Sequence, residues 1–346
     1  MIKKYMKSLL LIFTAYSAIL SAQKKTEDFL ISIPERKDIK SEFSKIKLID
    51  ARPDTTNVGI VQKGAFNSKA KVIPVKPLQA QFQELLSSIS KNPSADGELL
   101  LYLKQFYFAE VTGAFSEKGY CYVQGYLFSK DKDGTYQLRD ELDSVIVHSS
   151  MDVTKATMKK GSEMFSNFII KNLYPKENSG EKYSYEQIKN YDKIAKQKFP
   201  LYNQEVLTDG LYKTFKDFRS LTPAAVTFSS IKTTPDGNRV LRVSSNESGK
   251  EKDIRNTNEY FAMVYQGIPY VYSPIEKSFN KMTKDQNNDF LFTAKSKTTA
   301  KNGDVMMASL FFGVVGAIIA SDASASFEMK LDYLNGGFIP IKEVKK

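Results

Sequence analysis

The sequence predicts an α+β fold in two domains, preceded by an export signal. Three observations predict it. Runs rich in aromatic and β-branched residues recur along the chain, and two amphipathic helical stripes interrupt them in the first half. In addition, 346 residues exceed the length of one average domain. With 42% hydrophobic and 26% charged residues, the composition is globular rather than disordered or fibrous.

Residues 1–22 have the pattern of a secretory signal peptide. Lys3, Lys4 and Lys7 precede an apolar stretch, and Ser21-Ala22 supplies small residues at a cleavage point. We therefore expect cleavage after Ala22 and a mature protein in the periplasm or the outer cell envelope. The alternative is an uncleaved anchor helix. Because no cysteine lies near the cut, the signal is not of the lipoprotein type.

The first mature domain, residues 23–174, is expected to be a sandwich of one sheet and two helices in the order β-β-α-β-β-β-α. Pro77 opens a helix whose apolar side chains recur at helical spacing, and Asn92-Pro93 stops it. The segment 71–75 is expected to be an edge strand at most, because Pro74 lacks an N–H group. The other predicted elements are strands at 45–51, 58–62, 98–108, 119–129, 135–138 and 144–148, and a helix at 152–173.

Residues 175–200 are polar and are expected to form a linker and a short helix with the capping box Ser184–Gln187. Residues 201–346 predict a β-rich second domain. Its last strand, 327–333, alternates cleanly, so its odd-numbered apolar residues should face the core and Glu328, Lys330 and Asp332 should face water. The other predicted strands are at 225–231, 239–244, 260–265, 270–272 and 290–294.

Residues 305–320 form a run of sixteen without a charge, slightly shorter than a membrane-spanning helix requires. One stripe of this predicted helix carries only small residues, which would allow another backbone to approach closely. Three interpretations stay open: a membrane-embedded helix, a helix for self-association or partner binding, and a buried core helix. The small-residue stripe consists of Ser309, Gly313, Gly316, Ala317 and Ala320.

The sequence lacks the motifs of the common catalytic and cofactor-binding sites. No phosphate-binding loop, dinucleotide fingerprint, nucleophile elbow or zinc-protease motif is present, and one cysteine and one histidine exclude most metal sites. We therefore expect no cofactor, no metal and no catalytic residues. Cys121 is expected to pack in a core beside Val123 and Leu127, and His148 to be structural. Lysines and arginines are scattered among acids and form no clustered stripe, which argues against nucleic-acid binding.

Asp50, Arg52 and Asp54 are the most distinctive polar cluster and the candidate ligand-binding residues. They follow a predicted strand in Asp50-Ala-Arg-Pro-Asp54. The alternative is local pairing of Arg52 with Asp50 or Asp54 at a turn. Carboxylate pairs elsewhere, such as those among Asp140, Glu141 and Asp143, keep a carboxylate-dependent hydrolase as a second functional hypothesis.

The stretch Leu48-Ile-Asp-Ala-Arg-Pro-Asp54, followed by Val58-Gly-Ile60 and the Pro77 helix, resembles YajG-like and ABC-transport auxiliary lipoproteins of Gram-negative envelopes. The resemblance covers about residues 45–173, and this chain departs from it in having no cysteine for lipidation. The second half resembles uncharacterised exported proteins of such bacteria, through residues 209–218 and 331–341. These resemblances imply an envelope location and no activity.

We therefore expect a non-enzymatic envelope protein that binds or assembles with partners, with membrane attachment through residues 305–320. The alternatives are a secreted or periplasmic carboxylate-dependent hydrolase, and a soluble periplasmic scaffold in which 305–320 belongs to the core.

Overall fold

A computed structural model describes residues 26–35, 38–63, 68–92, 94–112, 117–150, 153–176, 180–247, 250–297 and 324–344. The predicted signal peptide and the uncharged run 305–320, with its small-residue stripe, lie outside these ranges. The described residues confirm a mixed α+β fold that is rich in strands.

The helices that the structure describes are α1 Leu78–Ile89, α2 Thr154–Lys171, α3 Tyr185–Lys189, α4 Tyr191–Lys196, α5 Pro200–Asn203 and α6 Phe215–Arg219, with a 3₁₀ turn at Thr257–Glu259. Strands of the first half are β1 Thr26–Phe29, β2 Phe43–Asp50, β3 Gly59–Lys63, β4 Ser68–Pro74, β5 Gly97–Thr112, β6 Glu117–Lys130, β7 Tyr136–Ser150 and β8 Lys182–Tyr183. Strands of the second half are β9 Gly210–Tyr212, β10 Ser230–Thr233, β11 Arg239–Glu247, β12 Lys250–Asp253, β13 Ala262–Tyr265, β14 Ile268–Ser273, β15 Ser278–Lys281, β16 Thr283–Lys284, β17 Phe290–Lys297, β18 Ser324–Leu331 and β19 Phe338–Glu343.

Within the described residues, β1 to β8 form one sheet in the order β1-β4-β3-β5-β6-β7-β8, with β2 also paired to β5. Strand β5 is long enough to hold two parallel partners along one edge: β2 beside its first half and β3 beside Phe108 and Ala109. Its other edge runs antiparallel to β6, which in turn pairs with β7. Strands β5, β6 and β7 are the three longest strands of this sheet and lie side by side in it.

Three predictions for this sheet need correction. The strands expected at 135–138 and 144–148 are one continuous strand, β7, because the acidic residues between them stay paired with β6. Strand β4 is not at an edge: it lies between β1 and β3, since Pro74 ends the strand and its missing N–H interrupts no bond there. Strand β1 was not predicted, so four strands precede the first helix.

Helices α1 and α2 cover one face of the sheet. Helix α1 buries the apolar stripe that the sequence predicts, including Phe82 and Leu86. Gly161 brings α2 close to the strands, because a Cβ atom there would lie 2.8 Å from Cys121 Sγ and 2.9 Å from the Phe108 ring. The glycine that weakens the isolated helix therefore permits its packing.

The second half of the chain covers the opposite face of the sheet. Tyr102, Tyr126 and Phe128 of β5 and β6 share one buried cluster with Phe290 of β17 and Phe327 of β18. The segment 175–200, assigned from sequence to a linker and short helix, contributes Tyr191, which packs edge to face against Tyr126 and Phe128. One continuous core thus joins both halves, and the division into two domains stays a prediction.

The second half contains two antiparallel sheets among its described residues. One has the order β10-β11-β15-β14-β13-β9, with β12 also paired to β11, and the other has the order β16-β17-β18-β19. The alternation of β18 and the turn after it is confirmed for its apolar residues, since Phe327, Met329, Leu331 and Tyr333 are all buried. The prediction that the polar face meets water is wrong at Asp332, because only 1% of its surface is exposed.

Candidate functional site

The predicted cluster of Asp50, Arg52 and Asp54 is a self-contained turn at the end of β2. The Arg52 guanidinium is buried and donates from Nε and Nη2 to the two carboxylate oxygens of Asp50, at 2.8 and 2.7 Å. Its Nη1 donates to the carbonyl oxygen of Asn57 at 2.8 Å. Local pairing of Arg52 with Asp50, one of the two interpretations left open by the sequence, is therefore what the structure contains.

Asp54 closes the same turn instead of joining the ion pair. Its carboxylate accepts hydrogen bonds from the Thr56 N–H and hydroxyl, at 2.8 and 2.6 Å, and from the Asn57 amide at 2.6 Å. Burial alone would raise the pKa of Asp54, but these hydrogen bonds outweigh it and hold the pKa below its usual range. The turn thus uses the polar groups that a ligand would otherwise contact.

Among the residues that the structure describes, the most deeply buried ion pair joins the two halves of the chain. Lys104 Nζ lies 3.0 Å from Asp332 Oδ1, and the side chains are 5% and 0% exposed. The ammonium also lies 3.8 Å from the centre of the Tyr333 ring. Burial alone would lower the pKa of Lys104, but the charge of Asp332 outweighs it and raises the pKa. The same pairing holds the pKa of Asp332 below its usual range despite its burial.

Hydrogen bonds extend this pair to the edge of the sheet. The Tyr122 hydroxyl donates to Asp332 Oδ2 at 3.2 Å, and the Asn335 amide donates to the Tyr122 oxygen at 2.9 Å. Asn335 also donates to Asp143, which accepts a further bond from the Gln124 amide at 3.1 Å. Sequence reasoning missed this network. A lysine inside the apolar run 99–108 was the available signal, because a buried charge requires a partner.

Two exposed carboxylates of β7, Glu141 and Asp143, lie beside this network. Partial burial, together with the charge of Asp143, raises the pKa of Glu141. Partial burial also raises the pKa of Asp143, and the charge of Asp332 adds to the effect. Among the carboxylates that the sequence left open for hydrolysis, these two have raised pKa values, whereas Asp140 is ion-paired with Lys171.

Cys121 lies in the core, and His148 lies on strand β7. Cys121 is fully buried with Val123 and Leu127 against the helical layer, as the sequence predicts, and burial raises the pKa of its thiol. A neutral, enclosed thiol is a poor nucleophile. His148 is half-buried on β7 and pairs with Gly119 of β6.

In the ranges that the structure describes, no three histidine, cysteine, aspartate or glutamate side chains form a group suited to a metal ion. In the same ranges, no helix is both long and apolar enough to cross a membrane.

The ends of the hairpin β17–β18 fix where the uncharged run begins and returns. The two strands pair antiparallel from Leu291 with Lys330 to Lys297 with Ser324. The 26 residues from 298 to 323, which include 305–320, therefore connect the neighbouring ends of one hairpin. Neighbouring strands lie about 4.8 Å apart, so the two attachment points are adjacent.

No family model matches the chain, and no curated protein matches it. Among solved structures, the chain is similar to protein XCC0632 from Xanthomonas campestris, described with the family DUF330, at 7% identity and a TM-score of 0.27, over 42% of this chain and 92% of that one. It is also similar to a crystal structure described only as an uncharacterized protein, at 10% identity and a TM-score of 0.22, over 42% and 95%. Neither description names a ligand, a partner or a reaction, and the likeness to YajG-like proteins stays a prediction.

Proposed function

We propose that this protein is a non-enzymatic component of the bacterial cell envelope, which binds or assembles with other components and is held at a membrane by residues 305–320. The observation that carries the proposal is the register of the hairpin β17–β18. It places an uncharged run within a connection whose two ends are neighbours in one sheet.

The packing of the hairpin β17–β18 against the core supports this role. Phe292 of β17 and Met329 of β18 are register partners and both are buried in the core that joins the two halves. The hairpin whose ends residues 298–323 connect is therefore anchored by the main fold. Transfer of apolar side chains out of water is favourable, at about 25 cal/mol per Å². The hydrocarbon region of a bilayer is an apolar environment large enough to take up such a run in an exported protein.

Replacement of residues 298–323 tests the proposal without disturbing the hairpin β17–β18. Because Lys297 and Ser324 are paired, an Asn-Gly turn can replace residues 298–323 and close the hairpin. We expect the intact mature protein to sediment with membranes after osmotic shock of a Gram-negative host, and the turn variant to be released. A matched control lengthens the hairpin β11–β12 at residues 248–249 with a polar insert and should leave fractionation unchanged.

The other two interpretations of 305–320 give different results. Release of the intact protein as a monomer without detergent would contradict the membrane role and favour the core-helix scaffold. Release as an oligomer that the turn replacement dissociates would favour self-association. An envelope protein that co-purifies only with the intact chain would identify a partner for the run.

A carboxylate-dependent hydrolase is the second candidate, favoured by the raised pKa values of Glu141 and Asp143 on one side of β7. A panel of glycoside and ester substrates tests it on the purified mature protein. Glu141→Gln or Asp143→Asn should abolish any activity found, whereas the exposed Glu163→Gln on α2 should not. Absence of activity on every substrate of the panel would contradict this candidate.

A further inference from the structure

A cavity of about 150 Å³ lies between helix α4 and the turn that joins β16 to β17. It is smaller than the sites that hold drug-sized ligands, which measure about 300–1,000 Å³. Its size therefore suits a single small polar group. The residues around it come from two segments about 90 positions apart in the chain, which only the tertiary fold brings together.

Lys196 supplies a buried positive charge at this cavity. The residue is 4% exposed, and its ammonium donates to Asp289 Oδ1 at 2.5 Å and to the carbonyl oxygen of Asn287 at 2.9 Å. The second oxygen of Asp289 lies 3.5 Å from Lys330 Nζ. One carboxylate is therefore shared by two lysines, and it only partly compensates their charge.

Tyr202 supplies a hydroxyl that the protein itself does not use. The residue lines the cavity and is 2% exposed, and within the described part of the chain its hydroxyl has no hydrogen-bond partner. Its ring is fixed by edge-to-face packing against Phe290. A buried polar group without a partner is costly to stability, and an acceptor that comes from outside would remove that cost.

Lys193 completes the lining at the exposed side of the cavity. It lies on α4, one helical turn before that helix ends at Lys196. In the described ranges, no carboxylate is within ion-pair distance of the Lys193 ammonium. Asn287 and Asn288 of the turn also line the cavity. Two ammonium groups, a free hydroxyl and amide donors together match a ligand that accepts hydrogen bonds and carries negative charge.

We propose that this cavity binds a compact oxyanion of the phosphate class. Lys196 and the Tyr202 hydroxyl contact it at the inner end, and Lys193 contacts it at the outer end. The phosphate is either free or part of a monoester such as a lipid headgroup. The proposal is independent of the membrane role of residues 305–320, since none of the cavity residues belongs to that segment.

Calorimetric titration of the purified mature protein tests the site, with inorganic phosphate and glycerol phosphate as separate probes and acetate as the control anion. We expect saturable binding of at least one phosphate probe with a Kd on the order of 1 mM or below. Tighter binding of glycerol phosphate would assign the monoester, and tighter binding of inorganic phosphate would assign the free ion.

Three variants separate a built site from general attraction of anions. Tyr202→Phe should weaken phosphate binding about tenfold, the value of one hydrogen bond to a charged group. Lys193→Gln should weaken it about fivefold, while Lys159→Gln on α2, which makes the same change of charge far from the cavity, should have no effect. Without phosphate, Tyr202→Phe should unfold at the same temperature as the wild type or higher, because it removes an unsatisfied hydroxyl.

The proposal is overturned if neither phosphate probe binds saturably, if acetate binds equally well, or if all three variants weaken binding alike. It is also overturned if Tyr202→Phe leaves binding unchanged, or lowers the unfolding temperature in the absence of phosphate. The last result would mean that the hydroxyl has a structural partner in the protein.

Discussion

Removal of the Lys104 ammonium should destabilise the protein strongly, because it leaves the buried charge of Asp332 without a partner between the two halves of the chain. In Lys104→Met the side chain keeps a similar length, while the Asp332 carboxylate, which is 0% exposed, loses its cation. The Tyr122 hydroxyl and the Leu334 N–H, at 3.2 and 2.9 Å, would remain its hydrogen-bond donors.

The magnitude follows from the two opposing contributions. At 3.0 Å, the attraction between Lys104 Nζ and Asp332 Oδ1 is about 5 kcal/mol at an effective dielectric constant of about 20. Desolvation costs several kcal/mol for each ion, so the intact pair adds little net stability. Removal of one partner forfeits the attraction but keeps the cost for the other, and we expect a loss of about 3–5 kcal/mol.

Urea unfolding of wild type, Lys104→Met, Asp332→Asn and the double variant measures this coupling. The double variant should recover most of the loss, because a neutral pair carries no buried charge. The reasoning is refuted if Lys104→Met costs less than about 1 kcal/mol, or if the effects of the two single variants simply add.

The dependence on pH gives the same prediction a second test. In the wild type the pKa of Asp332 is lowered, so its contribution is present above the unfolded value of about 4 and is lost as the pH falls through the folded value. In Lys104→Met the pKa of the unpaired carboxyl should rise, and a proton relieves its cost. The stability difference between wild type and variant should therefore shrink as the pH falls from about 7 to about 4.

Three further predictions concern single positions. Gly161→Ala should lower the free energy of unfolding by about 1–2 kcal/mol in urea unfolding despite the better helix propensity of alanine, because its Cβ would lie 2.8 Å from Cys121 Sγ and 2.9 Å from the Phe108 ring. Arg52→Met should cost about 1–3 kcal/mol in the same assay, since it leaves a carboxylate and a carbonyl without their donors. Glu141→Gln should raise the thermal midpoint at neutral pH and have no effect well below pH 4, because partial burial and the charge of Asp143 raise the pKa of Glu141, and the charged form opposes folding only above its unfolded pKa.

Periodicity predicts the elements that local burial determines. The stripe of α1 and the apolar positions of β18 are buried as their spacing predicts, because side-chain direction repeats every 3.6 or 2 residues whatever the partner is. Cys121 follows the same rule on β6. For such elements the sequence contains the whole of the relevant information.

Contacts between residues that are far apart in the chain cannot be predicted from periodicity. Asp332 occupies a position whose alternation predicts exposure, but Lys104, 228 residues earlier in the chain, lies beside it and makes burial tolerable. The cavity at Lys196 depends in the same way on a turn 91 residues later. Local spacing is unable to reveal which segments meet, so charged residues in apolar runs signal that a partner exists without identifying it.

Vesicle flotation of the purified mature protein tests the central claim most directly. Intact protein and the Asn-Gly turn variant that lacks residues 298–323 would be mixed with vesicles of anionic and zwitterionic phospholipids and floated through a density gradient. We expect the intact protein to float with the vesicles, and the turn variant, folded by circular dichroism, to stay at the bottom. Equal behaviour of the two proteins would contradict membrane attachment through residues 305–320.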